Sequence, residues 1–329
     1  MRTPARLAAA ALLLAATATH AQPTSTSSGQ AWPARPFRII VPFPPGGNID
    51  ITGRTLAPGL TETLGQPVVV DNRGGAGGTI GTELAAKSPP DGYTLLVGST
   101  GTLTAAPALY PKLGYDPQRD FAAIALVSVV PIVIVMHPSL PARDIKEFIA
   151  MIKARPGKVT MASAGAGSSN HLAGELFQSV TGTKLIHIPY KGSGPALVDV
   201  MGGQVDLHFD QVSSSLAFIQ SGKLRAIAVT TLKRSSSLPN VPTVDESGFK
   251  GFEASTFAAI LVPAATPKDI QQRLTGAMQK ILRTTATRDT FLRLGAEVPE
   301  MSVEEFERYL RTDREKWTRV VREANIKID

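Results

Sequence analysis

Four short segments rich in glycine and hydroxyl side chains carry the pattern in this chain that reads as a site: PFPPGGNID at 42–50, GSTGT at 98–102, SAGAGSSNH at 163–171 and PYKGSG at 189–194. Each runs from a strand-like stretch towards a helical one, so it offers backbone N–H and hydroxyl donors around a helix start, an arrangement suited to an anion. In the first, Gly46 and Gly47 can take positive φ and Asp50 is placed to cap. A carboxylate held by charge-assisted bonds recovers about 1.5–3 kcal/mol per bond against a desolvation cost of several kcal/mol, so several loops must converge on it. One glycine-rich turn serves equally well as a tight connection. Four in register point to a ligand.

Other chemistries lack their residues. Gly75 and Gly77 are followed by Ile80, and Gly165 and Gly167 by Asn170, where a dinucleotide fingerprint needs its last glycine; a phosphate-binding G-x-x-x-x-G-K-[ST] is also missing. There is no G-x-S-x-G elbow and no H-E-x-x-H helix, the histidines beyond residue 21, His137, His171, His187 and His208, lack metal-ligand spacing, and the chain contains no cysteine. No catalytic residue, metal or cofactor is therefore expected. His171 opens a helix beside the third segment and reads either as a capping or packing group or as a ligand contact; His187 and His208 sit in apolar strands and read as structural. Asp210 ends a strand, where it would orient donors, accept from a ligand amine or hydroxyl, or cap the next helix. Lys191 reads as a solvated loop-tip lysine or an anion partner.

The elements that must position these loops follow βαβ grammar. Strands are expected at 37–41, 67–71 and 93–97, with helices at 49–64, ended by Gly65, and at 79–87. A second series has strands at 158–163, 185–188, 205–209 and 224–230, and helices at 170–181, 194–202 and 213–221. Such alternation implies parallel sheets in two α/β lobes. The apolar stretch 121–136, with Pro131 at its middle, and the stretch 252–262 read as hinge crossovers, and helices at 267–284, 286–294 and 303–323 complete the first lobe. The expected division is 36–130 for the first part of lobe 1, 131–252 for lobe 2 and 253–329 for the completion of lobe 1.

Two arginines ahead of an Ala/Leu/Thr run read residues 1–21 as a cleavable signal peptide, with a flexible leader at 22–35. Removing the signal takes the formal net charge from +7 to +5, without a basic cluster, so nucleic acid is not an expected partner.

The ordered blocks PFPPGGNID (42–50), LGQPVVVDNRGGAGGTIG (64–81), PDGYTLL (90–96), PALYPKLGYDPQRDF (107–121), SSNHLAGELF (168–177), IPYKGSGPAL (188–197), GGQVDLHFD (202–210), GKLRAIAVT (222–230) and LPNVPTVDESG (238–248) resemble the extracytoplasmic receptors of tripartite tricarboxylate transporters, the Bug proteins. The resemblance covers 36 to the C-terminus. It implies a type II periplasmic binding protein fold, two α/β lobes joined by a two-strand hinge, that closes over a small organic acid or amino acid in the periplasm as a monomer. It further implies presentation of that solute to membrane transporter subunits or, alternatively, to a signalling receptor; a hydrolase built on Ser99 or Ser168 is the remaining reading. Matched by position, the family's ligand residues fall on Phe43, Pro45, Gly46, Gly47 and Asp50, on Ser99 and Thr102, on Ala164, Gly165, Ala166, Gly167, Ser168 and Ser169, and on His171 and Asp210. Asn48 and Thr100 join the expected ligand set from within the same loops. Asn48-Ile49 and His208 depart from the family's usual residues and bear on ligand choice.

Overall fold

The computed structural model describes residues 32–328; the expected signal peptide, 1–21, and the leader as far as 31 lie outside the described residues. The elements run β1 (Phe37–Val41), α1 (Asn48–Leu64), β2 (Val68–Asn72), α2 (Thr79–Ala86), β3 (Thr94–Ser99), a π-turn (Gly101–Ala105) leading into α3 (Ala106–Leu109), and β4 (Phe121–Met136). They continue with α4 (Ile145–Ala154), β5 (Thr160–Ser163), α5 (Ser169–Thr181), β6 (Ile186–Pro189), α6 (Ser193–Met201), β7 (Leu207–Gln211), α7 (Val212–Gln220) and β8 (Arg225–Val229). Last come β9 (Ser255–Pro263), α8 (Lys268–Arg283), α9 (Thr285–Arg293) and α10 (Val303–Glu323).

The strands lie in the order β2-β1-β3-β9-β4-β7-β5-β6, with β8 also paired to β4. Parallel pairing, which the βαβ rhythm predicts throughout, holds for β2-β1-β3 and for β6-β5-β7 only. Between those two groups β9 and β4 run antiparallel to their neighbours. β9 follows β8 with no helix between them and β4 follows only the single-turn α3, so no full crossover helix imposes the handed βαβ connection on either strand. β4 changes partner in mid-strand, pairing with β9 up to Pro131 and with β7 from Ile132 onwards. A proline has no N–H to give to a ladder, and it stands where one partner ends.

Alternation along the same strand feeds two cores. Ile132, Ile134 and Met136 join Phe148, Phe177, Phe209 and Phe252, whereas Val133 and Val135 face Leu197, Val200, Val212 and Leu216. A third cluster around Ile40, Leu96, Phe257 and Phe306 packs the other end of the sheet.

Helix α1 stops at Gly65, left-handed at φ 69°, whose N–H donates to the Thr61 carbonyl. It begins one residue earlier than its pattern indicates, and Asp50 sits a turn inside it, accepting from the Gly46 N–H. α4 has no counterpart in the sequence reading, although Ile145, Phe148, Met151 and Ile152 recur at helical spacing behind the Asp144 cap. α10 starts with a capping box between Ser302 and Glu305 and is shared: Phe306 and Tyr309 pack with the Ile40 cluster, Trp317 and Val321 with the Phe177 cluster. Among the described residues no helix is long and apolar enough to cross a membrane.

Phe177 is fully buried, with Phe148, Phe209 and Phe252 rings at 5.8, 5.5 and 6.2 Å. F177A is expected to cost about 3–5 kcal/mol of stability, read as a lower urea midpoint; a loss below about 1 kcal/mol would contradict this packing.

Candidate functional site

The starts of four helices meet at one place. Gly47 precedes α1, Ser168 precedes α5, Gly192 precedes α6 and Gln211 precedes α7, and the residues at these starts line a single cavity. Phe43, Gly47, Asn48 and Ile49 come from the first loop and Ser99 from the end of β3. Ala164, Ser169, Asn170, Ser193 and Gln211 face them, and Thr256 on β9 closes the floor. The lining holds no lysine or arginine. What positive charge it can offer an anion is that of the helix dipoles, each worth about half a charge at the N-terminus. Wider hollows lie elsewhere, one of about 230 Å³ between α8 and the segment 298–303, but a single helix start, that of α10 at Ser302–Val303, lies on it, and its N–H groups are taken by its own capping box.

The donors are held in a buried polar network. Ser213 donates to the Asn48 Oδ1 at 2.7 Å, which leaves Asn48 Nδ2 shut off from solvent without a partner among the described residues. Behind it, Asp50 accepts from Arg54 and from Asn72. On the facing wall Asn170 Nδ2 donates to the Phe209 carbonyl at 2.7 Å, with Asp210 Oδ1 and Gln211 Oε1 each 3.3 Å away, and Gln211 Nε2 donates to Ser169 at 3.1 Å. Burial acts to raise the Asp210 carboxyl, but the neighbouring His208 and hydrogen bonds from His208, Ser214 and Ser193 outweigh it and hold the group below the usual carboxylate range. Asp210 therefore orients Asn170 from behind the lining.

The expected residues sort into three positions. Phe43, Gly47, Asn48, Ser99, Ala164 and Ser169 line the cavity. Asp50, Thr102, Ser168, His171 and Asp210 stand behind and hold it: Thr102 Oγ1 accepts from the Ser99 N–H, Ser168 Oγ from the His171 N–H, and His171 Nδ1 from the Gly167 N–H. Thr100 is buried, its hydroxyl unpaired among the described residues. Pro45, Gly46, Gly165, Ala166 and Gly167 form the rim, where the loops of the two sides touch. His187 stacks on His171 at 4.0 Å and is pushed down to about 4 by burial and by that neighbour. Sequence reasoning missed Gln211 and Thr256 as lining residues, and it left Ile49, Asn170 and Ser193 inside candidate loops without placing them in the expected ligand set. Asn170 and Gln211 each adjoin a named residue, so the helix-start argument could have found them; nothing in its strand marks Thr256.

The rim explains the glycines. A Cβ on Gly194 would strike the Pro45 carbonyl oxygen, and one on Gly77, already at φ 61°, would strike the Ala166 carbonyl oxygen. Tyr110 donates its hydroxyl across the same seam to Ala166 O at 2.7 Å. With the rims in contact the cavity measures about 20 Å³, room for one or two waters and no organic acid.

Neither serine of the hydrolase reading, Ser99 or Ser168, is set up as a nucleophile. Ser99 Oγ has Thr102 Oγ1 at 3.5 Å and Ser168 Oγ serves as a cap, and neither meets an imidazole. Ser193 does approach His208 Nε2 at 3.3 Å, but Asp210 approaches that same nitrogen while Nδ1 faces the Ala162 carbonyl, so no carboxylate orients the ring from its far side.

Residues 52–326 match the profile of the tripartite tricarboxylate transporter family receptor. The chain is 41% identical over 324 residues to protein BugT of Bordetella pertussis, covering 98% of each. Among solved structures it is similar to the periplasmic binding protein BugD (39% identity, TM-score 0.87, covering 90% of this chain and 99% of that one). It is also similar to a protein of R. palustris solved with adipate (33%, TM-score 0.88, 90% and 99%). MatC from Rhodopseudomonas palustris, with bound malate, matches at 32% and TM-score 0.85, covering 88% of this chain and all of MatC.

Gly194 lies in the first turn of α6, outside the positive-φ region, so alanine there suits the helix but not the closed rim. G194A is expected to leave the thermal midpoint within about 2 °C of the parent while increasing the radius of gyration in X-ray scattering. An unchanged scattering profile would show that the rim yields without opening.

Proposed function

This chain belongs to the tripartite tricarboxylate transporter receptor family, and we propose that it captures a small carboxylate-bearing solute in the periplasm by closing two lobes over it. The fold is that of a periplasmic binding protein, and the chain is a solute-binding receptor and not an enzyme. In the proposed division, 36–130 with 253–329 forms one lobe and 131–252 the other. The mid-strand change of partners in β4 supports a boundary at Pro131, and the packing of Trp317 against Phe177-side residues ties the end of α10 to the second lobe. Export through the signal peptide 1–21 completes the route to the periplasm.

The observation that carries the reading is the convergence of four helix N-termini on a cavity with an unpaired buried amide donor, Asn48 Nδ2. One helix end stabilises an anion by up to about 2 kcal/mol in a partly buried site, too little against desolvation; several ends with neutral donors are enough. The absence of a lysine or arginine from the lining means that geometry, not a fixed charge, selects the ligand. Adipate and malate, bound by two of the similar structures, define the class to try first. Because the closed cavity admits no such molecule, binding requires that the lobes part and close again around it, driven by tighter contact in the closed state. The closed form would then be what transporter subunits recognise.

Calorimetric titration of refolded, ligand-stripped protein against a panel of dicarboxylates and amino acids is expected to find a binder, and absence of any would overturn the reading. N48A should weaken that binder about tenfold, the effect of losing one donor to a charged group, and lower the thermal midpoint by a few degrees, because Ser213 loses its buried acceptor.

A further inference from the structure

The apolar stripe of α10 is interrupted by an acid. Phe306, Leu310, Trp317 and Val321 recur at helical spacing, and Asp313 falls on the same stripe between them. Its carboxylate reaches Thr104, the fully buried threonine of the π-turn that continues from the ligand loop 98–102. Thr104 Oγ1 lies 2.6 Å from Asp313 Oδ2 and 2.9 Å from the Thr100 carbonyl oxygen. A hydroxyl has one proton to give. Both contacts are hydrogen bonds only when Asp313 carries a proton and donates to Thr104, which in turn donates to the Thr100 carbonyl.

We propose that Asp313 is a positioning residue for the ligand loop: protonated, it completes the chain Asp313 to Thr104 to the Thr100 carbonyl that fixes the turn behind Ser99, and ionised it draws the Thr104 proton away from that carbonyl. The other end of the turn is held independently, by the Tyr115 hydroxyl on the Thr102 carbonyl at 2.6 Å. The charged and titratable groups facing Asp313 are Lys316 and Tyr309 on its own helix and Glu253 ahead of β9, and Lys316 pairs with Glu253. Lys316 is thus occupied by another carboxylate. Burial pushes Asp313 up to about 6, partly offset by Thr104 and Lys316, so its proton is lost on the acid side of neutrality, around pH 6. A raised carboxyl is protonated below its folded value and ionised above it, so the chain is complete on the acid side and broken on the alkaline side.

The inference rests on the proposed binding function for its affinity readout and stands without it for a second one. Asparagine at 313 can donate to Thr104 at every pH and mimics the protonated acid. The adipate dissociation constants of the parent and D313N are expected to agree at pH 5.5, and the parent's to become about fivefold weaker than the variant's by pH 8, the ratio cancelling the titration of adipate itself. A ratio that does not change with pH would overturn the proposal. In ligand-free protein, amide hydrogen exchange of the segment 99–105, corrected for intrinsic rates, should lose protection between pH 5.5 and 8 in the parent and keep it in D313N. Equal protection in both at all pH values would overturn the proposal even if adipate does not bind, whereas a failure of adipate binding alone with the exchange pattern intact counts against the ligand class and not against the relay.

Discussion

Four helix N-termini aimed at one small cavity are the constraint on which the rest of this structure depends. Each terminus leaves backbone N–H groups without intrahelical acceptors and adds a partial positive charge. Bringing four together would repel them unless an anion or a set of oriented acceptors sat among them. The structure supplies the acceptors from behind: Asp50 takes Gly46 N–H and Arg54 on one side, and Asp210 takes Ser214 with Asn170 and His208 alongside on the other. What faces the cavity is then left as donors.

The same constraint accounts for the glycines, in a way that differs from their role as read from sequence. There they promise bare N–H groups for a ligand. In the structure Gly77 and Gly194 matter because a carbonyl of the opposite loop occupies the place of a side chain. Tyr110 bridges that seam with a hydrogen bond to Ala166. Contact between bare backbones gives a close fit with little apolar area, which in the proposed closure cycle would leave room for a ligand's contribution to matter.

The long elements link the two ends of the sheet mechanically. β4 belongs to both, and α10 packs Phe306 into one core and Trp317 into another. Asp313 lies between those two anchors and reaches the turn behind Ser99, so a helix with no residue in the cavity is nonetheless coupled to it. An acid on an apolar stripe is visible in the sequence as a local inconsistency, the kind of feature that marks function more often than error.

Periodicity and loop composition determined much of this protein on their own. The strands from Phe37 and Thr94, the helices α5 to α10, the stop at Gly65 and the location of donors at helix starts all follow from local patterns, because apolar spacing and turn chemistry act within a few residues. The matching blocks from 42 to 248 set the family in the same way. Only the tertiary structure decided the antiparallel course of β4 and β9, since strand direction depends on what a strand meets and not on its own residues. It alone moved Asp50, His171 and Asp210 behind the lining, and brought Ser193, Gln211 and Thr256 into it, because a side chain's place relative to a cavity is fixed by packing between elements far apart in the chain. The Thr104–Asp313 contact spans 209 positions, a separation at which no local pattern carries information.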